Sequence, residues 1–295
     1  MKNKKEINRT GFILPIELKT AKGRTVYIMI LIFLLLFSLI FIVPLCWMLL
    51  SAFKDTQEFL QIPPSVFPKK ISFDKIKEVW FFSNFGNTYL VTIYMTVVAV
   101  GFMLASNGLA GYVLSRLKPK GSTFVKTLVL WTMMIPSTLS IAPKFMTFVD
   151  MPLIHINLSN TYWPMWIMAG ANAYYTLLFK NFFDGISVSL IEAAQIDGCN
   201  KFRVFTRVVL PLSKPIMITV AIFGIMGNWG TFFWPYLMIK DIQLQPIGVR
   251  VFLLKEQLSV DRHLMVLCFS MIPPMIAFLV LQKKILGGLS GAVKG

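Results

Sequence analysis

The chain has 295 residues, of which 56% are hydrophobic and only 14% charged, and its mean hydropathy is +0.69. Soluble domains carry about 25% charged residues, so this composition fits an all-α polytopic membrane protein and excludes an ordinary soluble enzyme. The net charge of +16 would suit nucleic acid, but the basic residues sit at the edges of apolar runs and form no recognisable nucleic-acid module, which excludes that partner.

Residues 1–24 carry seven basic and two acidic side chains, and 26–50 is then an uncharged run of 25 residues. About 20 such residues cross a hydrocarbon core of about 30 Å. The run is too long for the core of a cleavable signal and ends without a small-residue cleavage site. Pro44 is expected to bend it near one end. Cys46, Cys199 and Cys268 lie far apart with no metal-ligand spacing, which argues against a disulfide framework and a metal site.

A polar loop over 51–86, with Pro63, Pro64 and Pro68, leads to a second span at 87–114. There Gly101 and Ala105, then Ser106 and Ala110, set small residues four apart, a pattern for close packing of membrane helices. A basic turn (Arg116, Lys118, Lys120) precedes a third span at 127–143, interrupted by Pro136, whose freed backbone groups neighbouring helices can satisfy. A loop over 144–159 and a fourth span at 160–179 come before a charged island at 184–214. A fifth span (215–239) holds Gly224, Gly227 and Gly230; a loop over 240–263 and a sixth span at 264–282 follow. The expected organisation is an N-terminal segment 1–25, a six-helix transmembrane domain 26–286 and a basic, glycine-rich tail 287–295.

Positive charge sets orientation. Six spans with both termini inside place nineteen basic residues in cytoplasmic segments and ten outside, with five acids inside and eight outside. Both termini and the 184–214 island are therefore expected in the cytoplasm.

Within the island, residues 191–196 are good helix formers, and Ala193 and Ala194 leave a smooth, approachable face. Asp197-Gly198 fits a helix end, because glycine takes the left-handed conformation without a Cβ penalty. Residues 201–209 can restart a helix, with Phe202 and Phe205 three apart on one side and Lys201, Arg203 and Arg207 pointing largely elsewhere. Pro211 is expected to end it. On these residues alone the island is a helix–turn–helix at a membrane surface, or an ordinary solvated loop.

The chain carries no nucleotide-hydrolysing site. A phosphate-binding loop needs Gly-Lys-Ser/Thr after its glycines, and no Gly-Lys pair occurs. Leu289-Ser290-Gly291 matches only a fragment of an ABC signature motif. No paired acids, Cys–His cluster or Ser–His–Asp order appears, so no catalytic residue is assigned, and His155 and His263 are solitary. The spans are almost free of ionisable groups, which argues against an ion-coupled carrier. Asn107, Asn172, Asn228, Trp229 and Trp234 are polar or aromatic groups that would suit a sugar path. Interhelical hydrogen bonding and an interfacial aromatic belt are the plainer reading of each.

Glu192-Ala193-Ala194, then Gly198, then Leu210-Pro211 resembles the EAA loop of ABC importer permeases, whose coupling helices dock on a cytoplasmic ATPase. The resemblance spans the chain and is closest to the carbohydrate-uptake, MalG-like branch of the maltose-type importers. Ser51-Ala52-Phe53-Lys54 with Glu58 and Pro64, Asn87-Thr88, Leu109 to Tyr112, Leu114 to Leu117 with Gly121, Ile135-Pro136 with Pro143, Phe182-Phe183 and the tail Gly288 to Gly295 are similar to its pattern. One departure is Gly230 after Trp229, where that branch usually has asparagine; Asn228 precedes the tryptophan instead.

The resemblance implies a non-catalytic permease subunit in the bacterial cytoplasmic membrane. Its implied partners are a second, usually non-identical permease, an ABC ATPase dimer, an extracytoplasmic solute-binding protein and a saccharide. No cofactor is implied on this chain, ATP and Mg belonging to the ATPase. Glu192, Ala193, Ala194, Asp197, Gly198, Leu210 and Pro211 are the implied docking residues, with Gly198 setting the angle between two short helices. The alternatives are a permease for a non-sugar solute and a stand-alone channel or ion-coupled carrier.

Overall fold

A computed structural model describes residues 20–63, 65–71 and 73–292, with side chains to Gln282. The expected segment 1–25 lies mostly outside these residues, as do Pro64 and residues 293–295 of the tail. No strand occurs among the described residues.

The chain divides into two units, Met1–Ser72 and Phe73–Gly295. In the first, helix α1 (Ala21–Ala52) starts at Thr20, whose hydroxyl accepts from the Gly23 amide at 3.1 Å. It runs unbroken through Pro44. Its side chains are apolar all round, as in a helix solvated by lipid. Between α1 and the single turn α2 (Thr56–Phe59), the Lys54 ammonium lies 4.2 Å from the Trp47 ring centre and donates to the Ser65 carbonyl at 2.6 Å. Glu58 accepts from the Ser65 hydroxyl and the Lys69 amide.

The second unit holds α3 (Phe73–Phe82), α4 (Phe85–Leu117), α5 (Ser122–Met134), α6 (Ile141–Val149), α7 (Trp163–Gly170), α8 (Ala173–Asp184), α9 (Val188–Ile196), α10 (Lys201–Leu212), α11 (Lys214–Trp229), α12 (Phe233–Met238), α13 (Ile247–Leu254) and α14 (Val260–Ala292). Helices α1, α4 and α14 are long and apolar enough to cross a membrane. Counting the bent pairs α5–α6 (102°) and α10–α11 (72°) as single spans raises the number to five. The predicted third span breaks at Ile135-Pro136, the fourth at residues 171–172 and the fifth at 230–232. The predicted loops 51–86 and 240–263 contain α3 and α13, and the Lys75–Asp261 (2.7 Å) and Glu78–Arg262 (3.0 Å) ion pairs tie α3 to α14. Residues 287–292, read as tail, continue α14.

Two apolar clusters hold this unit together, and α4 contributes to both. Met95 and Ala99 pack with Phe148, Tyr162, Met165, Trp166, Met238 and Ile239. Met103 and Tyr112 pack with Phe179, Phe183, Ala194, Val204, Val209 and Val220. The small-residue contacts expected along α4 are met in part: nothing lies within 4 Å of a Cβ built at Gly101, whereas Ser106 Cβ lies 3.4 Å from one built at Gly170 of α7. A tighter approach falls at Gly111, where a Cβ would sit 2.7 Å from Phe179 Cβ and 2.9 Å from the Lys180 amide nitrogen. Backbones meet there because no side chain intervenes.

Candidate functional site

The island folds as two short helices joined by a tight turn. Helix α9 ends in a Schellman closure: Gly198 sits at φ 81°, its amide donates to the Gln195 carbonyl at 3.0 Å, and the Cys199 amide donates to Ala194 at 3.0 Å. Asn200 then caps α10, its side-chain oxygen accepting from the Arg203 amide at 2.9 Å. The helix end read at Asp197-Gly198 is thus present, with its physical cause.

The stop read at Pro211 is not. Helix α10 passes through Pro211 to Leu212, after a π turn over Phe205–Val209 that shifts the hydrogen-bond register ahead of the proline. The bend comes at buried Ser213, whose hydroxyl donates to the Val209 carbonyl at 2.6 Å. Phe202 and Phe205 do not share a side. The inward stripe is Val204, Phe205, Val208 and Val209, and Phe205 lies 4.7 Å from the Tyr112 ring. Phe202 falls outside that stripe and is 71% exposed.

Ala194 faces the core, whereas Glu192, Ala193, Asp197 and Pro211 are exposed and Leu210 is half-buried. Ile196 is 85% exposed and, with Phe202, adds two large apolar side chains to the outer surface of this turn. Sequence reasoning assigned neither to this surface: it set Phe202 on one side with Phe205 and counted Ile196 only among the helix formers. The signal was available, since neither lies on the inward stripe of its helix.

Arg116, at the end of α4, holds this pair of helices from behind. Its guanidinium donates to the carbonyls of Phe183, Asp184 and Ile186, which form the link from α8 to α9. Ser115 donates to the Asp184 carboxylate at 2.6 Å, and Lys180 pairs with the same group. Partial burial pushes the Asp184 carboxyl up, but the bonds from Lys180 and Ser115 outweigh it and hold it below the ordinary carboxylate range. Replacing Arg116 with alanine removes the donor to three carbonyls. Hydrogen bonds to charged groups contribute about 1.5–3 kcal/mol each, so amide exchange across 184–200 should rise tenfold or more in Arg116→Ala, read by hydrogen-exchange mass spectrometry. Exchange equal to wild type would show that the clasp is idle.

The polar span residues separate into two groups. Asn107 is fully buried: its amide donates to Met103 (2.8 Å) and Ala169 (2.9 Å), and its oxygen accepts from the Asn172 amide and the Thr176 hydroxyl, both at 3.0 Å. Trp229 donates to the Ser270 carbonyl at 3.2 Å. Asn172 and Asn228, with Trp234, Tyr174 and Lys144, instead line a cavity of about 760 Å³ between α4 to α8, α11 and α12. The helix breaks at 171–172 and 230–232 both border it, through Ala171, Asn172 and Thr231. Irregular backbone at membrane depth persists only inside protein or beside a cavity, and such breaks mark binding sites in transporters. The volume suits a small ligand.

A family model described as "Binding-protein-dependent transport system inner membrane component" matches residues 107–286. The chain is 32% identical over 292 residues to the probable ABC transporter permease protein YurM of Bacillus subtilis (strain 168), covering 95% of this chain and 94% of that protein. It is 27% identical over 292 residues to the polygalacturonan/rhamnogalacturonan transport system permease protein YtcP of the same organism, covering 93% and 100%. A solved chain of a bacterial ABC transporter involved in the import of the acidic polysaccharide alginate shares the fold, with a TM-score of 0.77 and 23% identity over 90% of this chain and 98% of that one.

Proposed function

Because the chain belongs to the family of binding-protein-dependent transport system inner membrane components, we propose that it forms, with a second permease, the path of a saccharide importer driven by a separate ATPase. The subunit itself is an integral membrane, non-catalytic permease. The observation that carries the coupling role is the turn at Gly198: a pair of helices anchored from behind by Arg116 and presenting Ile196 and Phe202 outward. On a segment read as lying outside the spans, exposed apolar groups beside charged ones suit a contact with a partner protein.

In this reading the chain has six spans and cytoplasmic termini in the bacterial inner membrane. The pair α7–α8, broken at 171–172, supplies the span that length alone does not count, and the basic-residue balance supports the orientation. An extracytoplasmic binding protein delivers the solute. ATP and Mg bind the ATPase pair, whose closure displaces α9 and α10. The Arg116 clasp and the cluster around Tyr112 and Val220 carry that displacement into α4 and α11. A saccharide cargo is supported by what YtcP is named for and by the mixture of amide and aromatic groups around the cavity. Glu192, Ala193, Ala194, Asp197, Gly198, Leu210 and Pro211 frame the docking surface, and Asn172 and Asn228 belong to the path.

The test is purification of the tagged chain from native membranes. An ATPase and a second permease should accompany it. Burying an Ile or Phe side chain contributes about 1.5–3 kcal/mol, so Ile196→Asp combined with Phe202→Asp should reduce the copurifying ATPase tenfold or more and leave the second permease in place. A chain that purifies alone and transports by itself in liposomes would establish the carrier reading in its place.

A further inference from the structure

Lys144 is the single charged side chain among those lining the cavity. The sequence places it at the first position of a loop. In the structure it belongs to α6, within the second arm of the bent pair α5–α6. Among the described residues no ion pair or hydrogen bond engages its ammonium, and no carboxylate lines the cavity. Lys144 is exposed, so its ammonium stays hydrated while its stem borders the cavity, and the charge is available to a solute that enters.

The surrounding groups have open hydrogen-bonding capacity. The Asn172 oxygen caps α8 by accepting from the Tyr175 amide at 3.2 Å, which leaves its NH2 without a partner among the described residues. Asn228 is the complement: its NH2 donates to the Gly224 carbonyl at 2.8 Å, which leaves its oxygen open. One donor, one acceptor, the aromatic faces of Trp234 and Tyr174 and one ammonium therefore meet at one cavity.

Resting on the reading of this chain as a saccharide permease, we propose that the cavity takes an anionic saccharide, the Lys144 ammonium pairing with the carboxylate of a uronate unit while Asn172 and Asn228 bond its hydroxyls. A carboxylate matches the site better than a phosphate. It brings one negative charge to one ammonium, whereas a phosphate monoester brings about 1.5 to 2 charges and three acceptor oxygens, for which the cavity holds no second cation.

Equilibrium binding to the intact permease–ATPase complex in lipid nanodiscs, without the binding protein, tests this. The probes are methyl galactosiduronate, which carries one carboxylate, its neutral methyl ester and galactose 1-phosphate. Wild type should bind the galactosiduronate at least tenfold more tightly than the ester, and the same comparison is read in the variants. Lys144→Met should erase that ratio without changing the affinity for the ester, and Lys144→Arg should keep most of it. Equal affinity for anion and ester, binding of neither, or a preference that survives Lys144→Met would overturn the uronate subsite and show a lysine that merely reaches the aqueous edge. Tighter binding of the sugar phosphate, lost in Lys144→Met, would overturn the carboxylate assignment. Failure of the permease reading is a separate event, seen earlier, because no ATPase would then copurify and no complex could be assembled.

Discussion

Replacing Gly198 with proline should abolish uptake and detach the ATPase while the spans remain folded. Gly198 sits at φ 81°, and the proline ring fixes φ near −65°, so the turn between α9 and α10 could not form. The same change deletes the amide that donates to Gln195, half of the closure that ends α9. Space plays no part, because nothing lies within 4 Å of a Cβ at this position. Gly198→Asn is therefore the control. Asparagine visits the left-handed region and occurs at such helix ends, so this variant should retain uptake within about threefold. Alanine should fall between them, since a left-handed L-residue costs about 1–2 kcal/mol. Uptake assays and ATPase copurification, normalised to the chain present in the membrane, read the series. Normal transport by Gly198→Pro would remove the turn from the coupling mechanism.

What the sequence shows about this turn it shows locally. Asp197-Gly198 ends a helix through bonds that reach no further than five residues, so composition is enough to find it. The apolar runs are legible for the same reason: lipid solvates α1 directly, and hydrophobicity alone reports that. The misreadings at Pro44, Pro211 and the Phe202–Phe205 pair are local, each within one helix; the others fall where distant segments meet. Gly101 and Gly111 look alike in a spacing pattern, yet only Gly111 lies against Phe179. Asn107 and Asn228 look alike as amides in spans, yet one is consumed by four hydrogen bonds and the other borders a cavity. Arg116 reads as a positive-inside residue, and only the fold brings three carbonyls from 183–186 to it. The breaks at 171–172 and 230–232 were hidden because hydropathy averages over them.

Asn107 carries the second large effect. Its amide donates to the Met103 carbonyl at the start of the π turn over Met103–Asn107. Its other bonds reach the Ala169 carbonyl, the Asn172 amide and the Thr176 hydroxyl, and so hold both sides of the break between α7 and α8. Asn107→Leu keeps the number of side-chain heavy atoms, so it leaves no void; its methyl groups are bulkier than the amide, and that crowding adds to the loss at this fully buried position. It leaves four polar groups without their partner at a fully buried position. An unsatisfied buried group costs about 1–3 kcal/mol in water-soluble proteins, and interhelical bonds in membranes average about 0.6 kcal/mol, so a loss of about 3 kcal/mol is expected. For a chain of this size that lowers Tm by about 5 °C, measurable by thermal unfolding of the detergent-purified complex. Thr176→Val removes one of the four bonds and should cost under about 1 kcal/mol. Because Ala171 and Asn172 also line the cavity, Asn107→Leu should weaken substrate binding along with stability. A leucine variant that melts with the wild type would mean that packing of Phe179 against Gly108 and Gly111, rather than this amide, sets the break.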